Sequence, residues 1–192
     1  IYGHWKKGKK HGRFKTLQGD TSGTNMKDNS FYFMDTLCEV EFVESFNFKP
    51  HDPEYEYQGN YSLDHEVCHG VGLMKYKNGD EYEGNFFEGF RQGYGIMIYA
   101  DGSKYNGHWE SDERCGFGKF ESNEKENFYI YDGEWLNNKK HGKGKYNSST
   151  NDETYVGEWK DDKKHGRGKY QWKDGSFYEG SWSNDKRDGE GV

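Results

Sequence analysis

The chain has 192 residues, enough for a domain of ordinary size, yet only 30% of them are apolar and 32% are charged, with a strongly negative mean hydropathy. That composition excludes a thick two-layer core, and no apolar run is long enough to cross a membrane as a helix. A formal charge of −7 argues against nucleic acid as a partner, while 18% aromatic content argues against disorder, because each Tyr, Trp or Phe can bury about 150–250 Å².

Residues 1–16 alternate at the two-residue period of a strand: Ile1, Gly3 and Trp5 share a face, and Gly12, Phe14 and Thr16 return on it as a frayed hairpin. Residues 17–56 interrupt that frame as an insertion or decayed repeats. Gln18 to Ser30 is rich in Gly, Asp, Asn, Ser and Thr and reads as a loop. Phe31-Tyr32-Phe33-Met34, then Cys38, Val40 and Phe42 alternating with Glu39 and Glu41, read as strand, extended by Phe46 and Phe48 until Pro50 and Pro53 stop regular pairing. Two readings stand for this stretch, a cap on the array and a partner-binding appendage; the cap is favoured because repeat arrays need protected ends.

From Tyr57 to Val192 one frame recurs. Tyr57, Gly59 and Tyr61 are answered by Gly70, Gly72 and Met74, and Tyr82, Gly84 and Phe86 by Gly93, Gly95 and Met97. Tyr105, Gly107 and Trp109 are answered by Gly116, Gly118 and Phe120, and Tyr131, Gly133 and Trp135 by Gly142, Gly144 and Tyr146. The clearest copy is Tyr155, Gly157 and Trp159 with Gly166, Gly168 and Tyr170; the last, Tyr178, Gly180 and Trp182, meets only Gly189 and Gly191. Placing Trp159 opposite Gly166 also sets Gly157 opposite Gly168 and Tyr155 opposite Tyr170, which predicts an antiparallel hairpin closed by Asp161-Asp162-Lys163-Lys164 in a type I connection. Glycine weakens a strand unless a ring lies over its bare backbone, so glycine and aromatic are read as one packing unit.

The leading tyrosines at 57, 82, 105, 131, 155 and 178 are 23 to 26 residues apart, the signature of a repeat architecture. Between copies, Asn78-Gly79, Asp101-Gly102 and Asp174-Gly175 are dipeptides that supply positive φ in tight hairpins, while Ser122–Asn127 and Asn147–Thr154 predict looser loops. The expected fold is all-β: an elongated, single-layer antiparallel sheet of consecutive hairpins, an open meander.

This Y-x-G-x-W…G-x-G-x-[YF] pattern resembles the MORN repeat (membrane occupation and recognition nexus), with five close copies between Tyr57 and Val192 and a weak one at the start. The resemblance implies a non-catalytic scaffold that docks other proteins, as in radial-spoke heads of cilia, cytoskeletal scaffolds of protists and junctophilins. It places the chain in the cytoplasm, in a ciliary or cortical cytoskeletal assembly, and leaves peripheral membrane contact and homo-oligomerisation open. The alternative it implies is a regulatory or anionic-lipid-targeting module of a larger enzyme, such as a lipid kinase or histone methyltransferase, with phosphoinositide affinity.

Two surfaces are candidate sites. The first is an aromatic face formed by Tyr82, Trp109, Tyr131, Trp135, Tyr155, Trp159, Tyr178 and Trp182. A single-layer sheet has no second layer to cover such rings, so a half-wet groove would invite a helix or an extended peptide. The second is an edge of turn cations, Lys9, Lys10, Lys139, Lys140, Lys163, Lys164, Lys186 and Arg187, suited to anionic headgroups or an acidic partner. Against it stands the plainer role of lysines in solubilising turns. Middle repeats interrupt that edge, since Glu88 to Arg91 and Ser111 to Arg114 are mixed in sign.

His65-Glu66-Val67-Cys68-His69 matches H-E-x-x-H, which holds zinc when a helix puts both imidazoles on one face; here it falls in a lengthened turn with no room for a helix, and chance explains it better. Cysteines at 38, 68 and 115 lack C-x-x-C spacing and fit a reducing compartment. No G-x-S-x-G, Walker loop or paired-acid frame is present, so neither enzyme chemistry, a cofactor nor a metal is expected.

Overall fold

The computed structural model describes residues 2–6, 9–15 and 47–48 as backbone, and residues 54–192 in full except 63, 64, 66 and 125. Most of the 17–56 stretch therefore lies outside the described residues, as does Glu66. Fifteen strands are described: β1 Tyr2–Lys6, β2 Lys9–Lys15, β3 Asn47–Phe48, β4 Tyr55–Ser62, β5 Val67–Tyr76, β6 Glu81–Phe87, β7 Phe90–Ile98 and β8 Lys104–Glu110, followed by β9 Glu113–Glu121, β10 Tyr129–Leu136, β11 Lys139–Ser148, β12 Glu153–Lys160, β13 Lys163–Gln171, β14 Phe177–Ser183 and β15 Lys186–Gly191. β1 and β2 form a hairpin of their own, and β3 to β15 make one open sheet in strict sequence order, every pair antiparallel. The all-β meander expected from the repeat is therefore what forms.

Register departs from the expected hairpin at one point, and the departure repeats. Tyr155 faces Tyr170 and Gly157 faces Gly168, but Trp159 faces Lys164 rather than Gly166. The same correction holds for Trp109 with Arg114, Trp135 with Lys140, and Trp182 with Arg187. A tight two-residue turn draws the strands together, and a bulge on the returning strand absorbs the extra residues. Asp161 and Asp162 have φ of 49° and 69°, the pair of left-handed residues of a type I′ turn, while Gly166 at φ 58° occupies the bulge. The expected type I connection is thus wrong for the turn inside a repeat. At the Asn-Gly and Asp-Gly joints between repeats only the glycine has positive φ, as at Gly79 (95°), where the Gly79 N–H donates to the Tyr76 carbonyl at 3.0 Å in a type I turn closed by a left-handed glycine; the 149–152 joint uses Asp152 (φ 55°) instead. Asp and Asn tolerate left-handed backbone, which is why the in-repeat turns can be built without glycine.

The bulge gives each first returning glycine a different partner. Gly93 pairs with Trp109, Gly116 with Trp135, Gly142 with Trp159, and Gly166 with Trp182, in each case the tryptophan of the next repeat. The link between copies is therefore as specific as the link within one. Of the two predicted loose joints, the described residues 122–124 and 126–128 are irregular, whereas 149–152 is a short turn because β11 runs on to Ser148.

Candidate functional site

The leading tyrosine of each repeat lies across its own glycine pair. A Cβ built on Gly168 or Gly157 would fall within 2.6 Å of Tyr155 ring or hydroxyl atoms, and the same holds for Tyr131 over Gly144 and Tyr82 over Gly95. The hydroxyl then donates to the carbonyl three residues on: Tyr105 to His108 at 3.0 Å, Tyr131 to Glu134 and Tyr155 to Glu158 at 2.9 Å. Trp109, Trp135, Trp159 and Trp182 reach backwards, each indole N–H donating to the carbonyl of the second returning glycine of the preceding repeat. Trp135 binds Gly118 O at 2.9 Å and Trp182 binds Gly168 O at 3.0 Å. The rings alternate edge to face, with Tyr131 5.1 Å from Trp135 and 5.3 Å from Trp159.

That packing closes the aromatic face. Tyr82, Tyr131 and Tyr155 are 0% exposed, and Trp109, Trp135, Trp159 and Trp182 are buried, with Tyr178 partly so. The expectation of half-wet rings is corrected: the single sheet does cover them, because Tyr and Trp lie flat against glycine backbone instead of standing up from it. Burial pushes the phenols of Tyr57, Tyr82, Tyr105, Tyr131 and Tyr155 well above the ordinary tyrosine range.

The remaining cover comes from a cation, and here the basic edge is also corrected. Neighbouring residues on a strand point to opposite faces. Lys140 and Lys164 turn inward, each Nζ about 5 Å above an indole, at 5.0 Å from Trp159 and 5.2 Å from Trp182. Lys139 and Lys163 point away and stay exposed, Lys139 lying 3.9 Å from Asp161. Lys186 and Arg187 are both exposed, and Arg187 sits 5.6 Å from the Tyr178 ring. Lys9 and Lys10 lie on β2, where only backbone is described. Arg91 and Arg114, which seemed to break the edge, are the same inward position in earlier repeats, 4.5 Å above Trp109 and 4.3 Å above Trp135. In the first copy Cys68, opposite Tyr61 and buried, takes that place. Desolvation under the stack pushes Lys140 and Lys164 below the ordinary lysine value, opposed by Asp162 and Asp185.

Those aspartates also lock turn to turn. Asp162 Oδ1 accepts from Lys140 N at 2.9 Å, Asp185 Oδ1 from Lys164 N at 2.9 Å, and Asp112 Oδ1 from both Arg91 N and Nε at 2.8 Å. Each repeat thereby fixes its predecessor's cation.

The opposite face is open, and it changes character along the array. The residue between the two returning glycines is Val71, Tyr94 and Phe117 in successive repeats, then Lys143 and Arg167. Val71, Tyr94 and Phe117 are 41%, 51% and 66% exposed. Where the apolar part meets the charged part, a shallow groove of ≈ 530 Å³ runs over Gly133, Gly144 and Gly157 between Phe117 and Val156.

The family model for the MORN repeat matches residues 2–13, 67–81, 82–104, 105–123, 131–153, 155–177 and 178–192. The chain belongs to the MORN-repeat family. No curated protein matches it. MORN repeats are generally non-catalytic modules that bind proteins or membranes, and no catalytic family is indicated. β4 falls outside the matched segments while its partner β5 lies within 67–81, although Tyr57 lies over Gly59 and Gly72 as the leading tyrosines of the later copies lie over theirs. In the H-E-x-x-H string of this MORN chain, His69 sits within β5 with its ring 5.2 Å from that of Phe87, and His65 Nδ1 lies 3.1 Å from Glu88 Oε1. The helix that the zinc motif requires does not form across its described residues, since His65 lies in a turn and Val67 to His69 open β5. Among the described residues no three potential ligands are grouped for a metal.

Sequence reasoning missed the inward cations and the apolar stripe. Both were in view as periodic positions: one follows the in-repeat turn, and the other lies between the glycines.

Proposed function

We propose that this chain is a non-catalytic docking scaffold, in which the repeat sets the spacing and the exposed sheet face presents side chains to partner proteins. The observation that carries this reading is the division of labour between the two faces. One is sealed by tyrosine, tryptophan and cation, so it rigidifies the array; the other is free to vary and does vary from repeat to repeat. Hydrogen-bonded links within and between successive copies from β4 to β15 give a stiff ruler, about 9.6 Å per two-strand repeat. A cytoskeletal assembly, ciliary or cortical, is the setting in which such a ruler is most useful.

Proximity labelling with the tagged chain, followed by reconstitution with the recovered protein, tests the proposal. A direct, saturable complex with a cytoskeletal protein is the expected result. Recovery of soluble enzymes alone, or release of the tagged chain by mild detergent with no retained fraction, would overturn it.

A further inference from the structure

Three features of the open face converge on repeats β5 to β9. The first is an apolar stripe two rows wide: Val71, Tyr94 and Phe117 lie in one row, each pair separated by one intervening strand, with Asn85 and His108 between them. Leu73 and Ile96 lie in the next row, bracketing Glu83, and that row continues through Asn106 to Lys119, which is paired with Glu121. The rows are about 6.8 Å apart and the stripe about 19 Å long, from two residues along a strand and four steps between strands. The second is charge. Residues 57–121 hold 6 Lys and Arg against 11 Asp and Glu, whereas residues 129–192 hold 12 of each. The third is a like-charged pair, Glu110 directly opposite Glu113 at the tip of the β8–β9 hairpin, an arrangement that is unfavourable without a counter-charge. Acids thus stand within the stripe, at Glu83, and on one flank of it, at Glu110 with Glu113.

We infer that this stripe is the docking site for an amphipathic helix of a partner protein, lying across the strands with a Lys or Arg over Glu83 and further Lys or Arg on the flank that faces Glu110 and Glu113. The dimensions fit a helix. One heptad rises about 10.5 Å, close to the ~9.6 Å between Tyr94 and Phe117 positions, so apolar residues at i, i+7 and i+14 meet successive repeats, with i+3 or i+4 side chains over the second row. An apolar surface of this kind among polar neighbours marks an interaction site, and the acidic block selects against acidic helices and against anionic lipid. The inference rests on the docking-scaffold reading and names its surface and its partner's chemistry.

The test uses the 192-residue chain and a fluorescein-labelled peptide of about 18 residues with Leu at heptad-spaced positions, one Lys placed over Glu83 and Lys along the flank facing Glu110 and Glu113, long enough to span the stripe. Tyr94→Lys with Phe117→Lys introduces at each site the residue that the repeat itself carries at Lys143, so folding is retained, checked by circular dichroism. Val156→Lys, outside the stripe, is the control. Saturable binding is expected by fluorescence anisotropy, weakened about tenfold or more by the double variant and by Glu113→Lys, unchanged by Val156→Lys, and about tenfold weaker for a peptide with Glu replacing Lys. Absence of binding, equal binding of the two peptides, or binding insensitive to the double variant overturns the inference. So does loss of a dimer in the double variant by light scattering, which would make a second copy the occupant, or loss of binding to vesicles containing phosphatidylserine. If a partner captured by proximity labelling still binds the double variant, the scaffold reading stands and this site alone fails.

Discussion

Replacing Gly144 by alanine isolates the contact on which the whole array depends. Gly144 is not among the residues with positive φ, so alanine fits its backbone, and in an ordinary strand the change stabilises by about 0.5–1 kcal/mol. Here the new Cβ would lie 2.6 Å from Cε2 and Cζ of Tyr131. That ring cannot swing clear: it is fully buried, held edge-on between Trp135 and Trp159, and its hydroxyl is bound to Glu134 O at 2.9 Å. Overpacking of this kind costs about 1–3 kcal/mol, which outweighs the propensity gain and reverses the sign. At roughly 2–4 °C per kcal/mol for a chain of this size, the net loss of up to about 2.5 kcal/mol should lower the melting midpoint by up to about 10 °C. Melts followed by circular dichroism and by tryptophan fluorescence are both needed, since a repeat array can open in parts. In a Tyr131→Leu background the alanine should cost less by about 1 kcal/mol, because its clashing partner is gone. An alanine variant as stable as the parent, or equally costly in both backgrounds, would falsify the ring-over-glycine account.

Four further outcomes are expected. Trp135→Phe keeps an apolar ring but leaves the Gly118 carbonyl without its indole donor, and should destabilise by about 1–3 kcal/mol in urea titration. Asp162→Val should cost more than Asp162→Gly, since both lose the acceptor for Lys140 N but only valine is strained at φ 69°, a difference of about 1–2 kcal/mol by the same titration. Above pH 10 the unfolded chain ionises its tyrosines while the buried phenols of Tyr57, Tyr82, Tyr105, Tyr131 and Tyr155 resist. Stability is therefore full below that pH and falls as pH rises, each phenol contributing roughly 1.4 kcal/mol per unit. Lys140 and Lys164, pushed down, act in the opposite direction but are fewer. Phenolate absorbance near 295 nm should accordingly appear together with unfolding rather than before it. Finally, co-sedimentation with anionic vesicles should be insensitive to changing Lys139, Lys140, Lys163 and Lys164, since two of these cover indoles and the exposed turn edge interleaves lysine with Asp161, Asp162 and Asp185.

The period of 23 to 26 residues, the pairing of Tyr155 with Tyr170 and the seating of ring on glycine were all legible in the chain, because a strand's two-residue alternation fixes which side chains share a face. That local rule carries as far as the glycine pair and fails at the bulge. A two-residue slip between Gly157 and Glu158 costs nothing in alternation, so the pattern looks the same whether Trp159 meets Gly166 or Lys164. Three-dimensional packing resolves it: the next repeat's tryptophan must find both a bare backbone and a carbonyl, and Gly166 with Gly168 offers them to Trp182. The same packing sends one turn cation inward and leaves its neighbour in water, a separation invisible in a run written Lys-Lys-His. Burial of the aromatic face belongs to the assembled array, because a ring is covered only by a neighbour that another copy supplies.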